Sequence, residues 1–299
     1  MTGYPEAGRG LMLSVMASTL FALMSAYAKL LAPLTGLDIF AWRVLWTAPG
    51  ALALIALRGR WPALVELARR SVRDWRLLIA LPVSAALLGV QLWLFLWAPL
   101  HGRMLEVSLG YFLLPLTMVL VGRFYYHERL DPLQWAAVAC AALGVAHEVW
   151  ETRAFAWPTL VVALGYPPYF VLRRRINADS LAAFAVEIAL LCPIAFAMVA
   201  TSTTRVASHP LLWTLLLPGL GVLSTLALAS YLKASRMLPM ALFGILGYVE
   251  PVLLVAVSLL LLGETLSVAK LATYGPIWVA VALTAWHSAM LMRRLPARG

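Results

Sequence analysis

Ten long runs of apolar residues follow one another along the chain, and they constrain its fold more than any other feature. A helix needs about 20 apolar residues to cross the roughly 30 Å hydrocarbon core of a bilayer. Backbone groups that face lipid must be hydrogen-bonded within their own segment, so these runs predict transmembrane helices. The expected fold class is all-α, a polytopic membrane protein with ten transmembrane helices. The runs are residues 11–31, 39–57, 77–100, 104–122, 133–150, 155–172, 181–200, 211–232, 238–263 and 271–292.

The charged residues indicate how these helices are oriented. Only 12% of the 299 residues are charged, which leaves no room for a water-soluble domain, and the net charge is +10. Most of the 23 Lys and Arg residues fall in alternate loops, as expected for the cytoplasmic side. The charge is therefore attributed to membrane topology, with both termini cytoplasmic, lipids as partners and no nucleic-acid partner. An amphipathic stretch at 61–75 is expected to lie along the inner headgroup surface.

The chain also repeats itself. The motif Leu109-Gly110-Tyr111 with Pro115 recurs as Leu246-Gly247-Tyr248 with Pro251. The predicted halves are residues 9–150 and 152–292, each with five helices. Because five is odd, the second half must enter the membrane inverted relative to the first. Loop charge agrees, since the loop after the second run carries six Arg and its counterpart at 201–210 keeps only Arg205.

Inverted repeats place a substrate pathway at their interface, often where paired helices contain Gly or Pro. Gly110 and Pro115, with Gly247 and Pro251, are therefore hinge candidates, and packing kinks are the alternative. Glu250 lies inside an apolar run and is a candidate proton or amine site; a hydrogen bond to the backbone freed by Pro251 is the alternative. Arg43 and Glu187 occupy equivalent repeat positions, which favours a structural salt bridge or snorkelling to the interface.

Aromatic and amide side chains complete the predicted substrate site. Trp93 and Trp97 are four residues apart and share one helix face; they line a cavity or face lipid. The full set of substrate-binding candidates is Gln91, Trp97, Tyr111, Tyr166, Tyr169, Tyr248 and Glu250. No catalytic, metal or nucleotide-binding motif is present, so no catalytic residue, metal or cofactor is expected.

Several segments resemble the EamA-type members of the drug/metabolite transporter superfamily. These are WLFLWA at 93–98, GRMLEVSLGYFLLPL at 102–116, HERL at 127–130, LQWA at 133–136 and LGETL at 262–266. The similarity is greatest to the chloramphenicol-sensitivity branch and to the aromatic amino acid exporters. It implies two inverted five-helix halves, a cavity between the first, third, fourth, sixth, eighth and ninth helices, and export of small metabolites. Gln91 and Leu114 stand where the chloramphenicol-sensitivity branch has Asn, and His127 replaces the usual Gly.

These observations together predict a secondary transporter of the bacterial inner membrane. It is expected to export amino acids, including aromatic ones, by alternating access, as a monomer or homodimer. Drug, purine or nucleotide-sugar efflux is the alternative within the transporters. A non-transport membrane enzyme is a further alternative, against which the scattered histidines argue.

Overall fold

Helices account for most of the chain in the structure, which is a computed structural model. It describes residues 4–127, 130–152, 156–177, 180–202, 210–238 and 246–294, and within these ranges there is no β-strand. The predicted all-α class is confirmed. The helices are α1 Tyr4–Leu30, α2 Gly36–Leu57, α3 Trp61–Arg73, α4 Trp75–Leu100, α5 Met104–Tyr125, α6 Pro132–Thr152, α7 Trp157–Ile176, α8 Ser180–Thr201, α9 Leu217–Met237, α10 Val249–Leu260 and α11 Val268–Arg294, with a π-helical turn Leu212–Leu216 before α9.

Six helical segments among the described residues are long and apolar enough to cross a membrane. They are Gly8–Leu30, Gly36–Leu57, Trp75–Leu100, Met104–Tyr125, Leu181–Thr201 and Thr214–Tyr231. Val249–Leu260 and Lys270–Leu283 are shorter apolar helices. The span predicted at 238–263 includes α10, while its residues 239–245 lie outside the described residues. The spans predicted at 133–150, 155–172 and 271–292 overlap α6, α7 and α11, and none of these four helices meets the length and composition criterion. One reason is that α7 ends in three Arg and α10 has only 12 residues.

The amphipathic stretch predicted at 61–75 is a helix, α3. Its one fully buried side chain, Leu67, packs with Leu77 of α4 and Ala182 of α8, while Arg69 and Arg73 are exposed. The helix therefore lies across the ends of α4 and α8 and presents a basic face outward.

Helices from the first part of the chain pack mainly on helices from the second. α1 packs on α9 and α10, α2 on α8 and α9, α4 on α7 and α8, α5 on α7 and α10, and α6 on α11. Small residues allow close approach of backbones in such bundles. At Gly110 of α5, a Cβ atom would lie 2.6 Å from Val162 Cβ and 2.8 Å from the Thr159 carbonyl oxygen of α7. The predicted hinge residue Gly110 is thus also the point where α5 and α7 are in closest contact.

Proline has different effects in different helices. α7 is a continuous helix through Pro167 and Pro168. Proline removes a hydrogen bond to the carbonyl four residues earlier. The carbonyl of Ala163 that Pro167 leaves free lies 2.8 Å from Thr117 Oγ1 of α5, which satisfies it.

The predicted kink inside the ninth span is a helix start instead. Gly247 and Tyr248 form a turn, and α10 begins at Val249, which puts Pro251 in its first turn. Proline is tolerated there because the first amides of a helix have no intrahelical partner. Its repeat counterpart Pro115 lies inside continuous α5. The two predicted hinge segments therefore have different backbones.

Candidate functional site

Four polar side chains from four helices come together inside the bundle. We call Arg43 of α2, Tyr111 of α5, Tyr166 of α7 and Glu250 of α10 the central cluster. The two tyrosine hydroxyls are 3.0 Å apart and hydrogen-bonded. Both Arg43 and Glu250 act electrostatically on both tyrosines and on each other. The structure thus brings three predicted site residues together with Arg43, which the sequence did not assign to the site.

Arg43 is buried and incompletely paired. Its side chain is 4% exposed, its Nε donates to Ser224 Oγ of α9 at 3.3 Å, and its guanidinium lies 5.9 Å from the centre of the Phe95 ring. Its Nη1 has no hydrogen-bond partner. A charged group inside a membrane helix is costly unless it is paired or hydrated. Arg43 therefore has a free donor for an anionic or polar group.

Glu250 is the acidic member of the central cluster. It lies in the first turn of α10, where the amide end of the helix favours a negative charge. Its side chain is partly accessible, and no hydrogen bond or salt bridge holds it within the described chain. The predicted alternative, a hydrogen bond to freed backbone, is not observed. A basic and an acidic side chain thus lie in one cluster without forming a salt bridge to each other.

Gln91 approaches α7 beside the cluster. It is 3% exposed, and its Nε2 donates to the Val161 carbonyl at 2.8 Å while its Oε1 has no partner. A Cβ atom at Gly165 would collide with the Gln91 amide, so this glycine makes room for it. Gln91 therefore presents an unused acceptor in the interior of the bundle.

Trp97 lies in an aromatic group near the start of α5 and α7. Its ring centre is 5.8 Å from Trp93, 5.0 Å from Trp157 and 4.0 Å from His101. Trp93 and Trp97 share a helix face, as predicted. Phe95 links α4 to the cluster, since its ring packs edge-on against Tyr111 at 6.3 Å.

Tyr248 and Tyr169 lie outside the cluster. Tyr248 is 7% exposed and packs with Leu109, Phe112 and Tyr274 in the core. Tyr169 is 8% exposed, packs edge-on against Tyr166 at 6.4 Å, and donates to Glu187 Oε2 at 3.2 Å. Both side chains therefore support the core in this conformation, and Tyr169 also connects the cluster to Glu187.

Glu187 has several partners. Its carboxylate accepts hydrogen bonds from Ser84 and Tyr169 and forms a salt bridge of 2.8 Å with Arg173. The predicted structural salt bridge is confirmed for Glu187. The parallel prediction for Arg43 is wrong, because Arg43 is buried and forms no salt bridge with a described carboxylate. The equivalent repeat positions thus have different environments.

Glu264, a residue of the LGETL segment, has a structural role that no sequence pattern indicated. Its carboxylate oxygens accept hydrogen bonds from the backbone amides of Met104 and Leu105 at the start of α5, at distances of 2.7 and 3.0 Å. Nearby, Lys29 Nζ donates to the Leu262 carbonyl at 2.8 Å. The loop after α10 is thereby attached to α1 and α5. The repeat counterpart Glu128 lies outside the described residues.

Metal-ligating side chains are dispersed in the described part of the chain. No group of three or more His, Cys, Asp or Glu residues that could hold a metal ion occurs there. Both cysteines, Cys140 and Cys192, are free thiols.

Comparison with known proteins identifies the family. The EamA-like transporter family matches residues 8–147. The chain is 50% identical over 296 residues to the chloramphenicol-sensitive protein RarD of Pseudomonas aeruginosa, covering 98% of this chain and 99% of the relative. It is 38% identical over 255 residues to an uncharacterized transporter of Haemophilus influenzae, covering 85% of each chain.

A solved crystal structure supports the fold alone. It superposes with a TM-score of 0.57 at 18% identity, covering 94% of this chain and 98% of the other. The high identity over nearly the full length of a RarD protein is the stronger finding. Together with the apolar helices, it shows that this chain is a multi-pass membrane protein of the EamA-like transporter family, near the RarD branch.

Proposed function

We propose that this protein is a secondary transporter that exports small metabolites, with amino acids, including aromatic ones, as its substrates. The observation that carries the proposal is the opposed pair in the central cluster, Arg43 and Glu250. Each is ionisable, and neither forms a salt bridge in the described chain. Two such charges are costly inside a membrane protein unless a ligand or water satisfies them. A zwitterion satisfies both at once.

Arg43 and Glu250 together determine the orientation of the bound substrate. The substrate carboxylate binds the free Nη1 of Arg43, since guanidinium groups form strong charge-assisted hydrogen bonds with carboxylates. The substrate ammonium binds Glu250, which alternatively carries a proton between turnovers. Tyr111 and Tyr166 border the site with their rings and hydroxyls. An aromatic substrate side chain packs on such rings favourably.

The remaining candidates act around this centre. Gln91 offers its free Oε1 to a substrate donor, and Trp97 with its aromatic neighbours lines the route toward the start of α5 and α7. Tyr169 and Tyr248 become accessible to the substrate only when the helices rearrange, since both are buried in this conformation.

The chain is proposed to consist of two inverted five-helix repeats, residues 9–150 and 152–292. The helix packing supports this arrangement. If α1, α2, α4, α5 and α6 are exchanged with α7, α8, α9, α10 and α11, the contact of α1 with α9 becomes that of α7 with α4. Likewise, the contact of α1 with α10 becomes that of α7 with α5. The family match to residues 8–147, one such repeat, also supports it.

Alternating access follows from the unequal halves. In α5 the segment that contains Gly110 and Pro115 is continuous, whereas the segment that contains Gly247 and Pro251 is interrupted before α10. Exchange of these two backbone states between the halves would open the site first to one side and then to the other. The proposed location is the bacterial inner membrane with both termini cytoplasmic, as the loop charges favour.

The test is counterflow in proteoliposomes that contain the purified full-length chain. Vesicles preloaded with one unlabelled amino acid should accumulate the labelled form from outside, and protein-free vesicles should not. Phenethylamine lacks the carboxylate and 3-phenylpropionate lacks the ammonium of phenylalanine. Each should compete at least about tenfold more weakly than phenylalanine, because one charge of the pair is left unsatisfied. If the vesicles exchange none of the twenty amino acids, the amino-acid proposal is contradicted.

Efflux of a drug is the second candidate, because the Pseudomonas aeruginosa relative is named for chloramphenicol sensitivity. The same vesicles loaded with chloramphenicol or with a purine distinguish the two. Exchange of these solutes without exchange of amino acids would favour drug or purine efflux.

A further inference from the structure

A cleft lies at the ends of α5 and α7, away from the aromatic group around Trp97. It has a volume of about 450 Å³ and is lined by Tyr125, Tyr126, Arg174 and Arg175. The tyrosines end α5 and the arginines are in the last turn of α7. We call this the Tyr-Arg cleft. None of its residues belongs to the proposed transport site.

The aromatic rings fix the positions of the two guanidinium groups. Arg174 lies 4.7 Å from the centre of the Tyr126 ring, and Arg175 lies 5.2 Å from that of Tyr125. The two rings pack edge to face at 4.9 Å. A guanidinium over an aromatic face keeps its N–H groups, which point outward in the plane, available for hydrogen bonds. The cleft therefore presents two sets of guanidinium donors, each next to an aromatic ring.

Neither cation is neutralised by a neighbour in the described chain. Arg174 and Arg175 form no salt bridge there, whereas the preceding residue, Arg173, pairs with Glu187 at 2.8 Å. Two adjacent positive charges attract an anion with several acceptor oxygens. Arginine binds phosphate through paired hydrogen bonds, which makes a phosphate group the best-matched ligand.

The surroundings of the cleft favour a lipid as the source of that phosphate. Phe124 is 69% exposed and Tyr125 is 42% exposed at the end of an apolar helix. Aromatic residues at such ends lie at the membrane interface, where headgroups are found. The abundance of Arg at this end corresponds to the cytoplasmic side, whose leaflet contains anionic lipids. We infer that the Tyr-Arg cleft binds the phosphate group of an anionic phospholipid of the inner leaflet.

The test is native mass spectrometry of the full-length chain in detergent with equal amounts of phosphatidylglycerol and phosphatidylethanolamine. The wild-type chain should retain phosphatidylglycerol preferentially. The double variant Arg174→Gln/Arg175→Gln should bind it about tenfold or more weakly, because two charge-assisted contacts are lost. Arg174→Lys/Arg175→Lys should fall between the two, since charge remains and the paired geometry does not.

The matched control removes two exposed arginines of α3. Arg69→Gln/Arg73→Gln lowers the net charge by the same amount and should weaken phosphatidylglycerol retention much less than the cleft variant, because these exposed arginines supply only diffuse attraction. An equal loss in this control would overturn the proposal in favour of diffuse attraction. Unchanged retention in the Arg174→Gln/Arg175→Gln variant, with its melting temperature maintained, would also overturn it.

Inorganic phosphate and sn-glycerol 3-phosphate separate the two sources of a phosphate group. Bound phosphatidylglycerol should persist in millimolar concentrations of either. Displacement by either compound at such concentrations would overturn the assignment to lipid and identify a soluble phosphate ligand instead.

Discussion

Glu187 and Glu250 are both carboxylates inside apolar helices, yet their environments are opposite. Glu187 is fully buried and is satisfied by Ser84, Tyr169 and Arg173. Glu250 is partly accessible and has no such partner in the described chain. Two arginines differ in the same way: Arg173 forms a salt bridge, whereas Nη1 of Arg43 has no hydrogen-bond partner.

This difference distinguishes a carboxylate that stabilises the fold from one that is available to bind a ligand. A buried carboxylate with all its partners in place is expensive to disturb, because its removal leaves an uncompensated charge behind. A carboxylate without partners contributes little to the fold and is available to a ligand or to water. The comparison therefore favours a structural role for Glu187 and supports the proposed transport role of Glu250.

The largest effect is expected for Glu187→Ala. The substitution leaves Arg173 without its carboxylate and Ser84 and Tyr169 without an acceptor, so unfolding stability should fall by about 3 kcal/mol. Denaturation by sodium dodecyl sulfate in mixed micelles measures this. Glu66→Ala on α3, which removes an exposed carboxylate, is the control and should change stability by less than about 0.5 kcal/mol. Equal stability of Glu187→Ala and Glu66→Ala would contradict the structural role of Glu187.

Glu250→Gln should impair transport and leave unfolding stability nearly unchanged, which is the reverse of the effect expected for Glu187→Ala. Counterflow should fall about 30-fold, because a charge-assisted contact to the substrate contributes roughly 2 kcal/mol. Unfolding stability should stay within about 0.5 kcal/mol of the wild-type value, and residual transport should lose its pH dependence. Glu66→Gln is the matched transport control. A destabilised Glu250→Gln protein would place Glu250 in the scaffold with Glu187.

Arg43→Gln should reduce transport about tenfold, since a neutral donor replaces a charged one. The loss should be specific to the substrate carboxylate. Competition by phenylalanine should weaken while that by phenethylamine stays the same, so the ratio of their inhibition constants measures the effect. A uniform loss for both compounds would show that Arg43 supports the site without binding the carboxylate.

The smallest effect concerns the pair of tyrosines in the central cluster. Tyr111→Phe removes one hydrogen bond, which contributes about 1 kcal/mol, so transport should fall about fivefold. Tyr166→Phe should have a similar effect. If the hydrogen bond between the hydroxyls is the cause, the double variant should be no worse than either single variant. Additive losses would indicate that each hydroxyl acts independently.

The helices could be predicted because apolar length and amphipathic pattern are local properties of the sequence. In the described chain the apolar runs coincide with helices, six of which are long and apolar enough to cross a membrane, and the amphipathic stretch at 61–75 is the helix α3. The Pro251 segment was harder, since the Leu-Gly-Tyr motif lies just before a helix start in one half and inside a helix in the other.

The candidate site could be predicted only in part, because some of its contacts depend on residues far apart in the sequence. Tyr111, Tyr166 and Glu250 were found because ionisable and aromatic groups between apolar residues are conspicuous. Arg43 was assigned to a salt bridge because its environment depends on distant residues. Ser224, its hydrogen-bond partner, is 181 residues away in sequence. Partners so far apart cannot be paired by inspection of one sequence.

The loop after α10 holds three hydrogen bonds that link it to α1 and α5: two to Glu264 and one from Lys29. Separation of α10 from the start of α5 breaks these bonds, and each charged one contributes about 1.5–3 kcal/mol. A change of about 1.4 kcal/mol already alters the ratio of two conformations tenfold. The loop therefore stabilises the conformation in which it is attached to α1 and α5. Substitutions there would shift the balance between conformations without contact with the transported molecule.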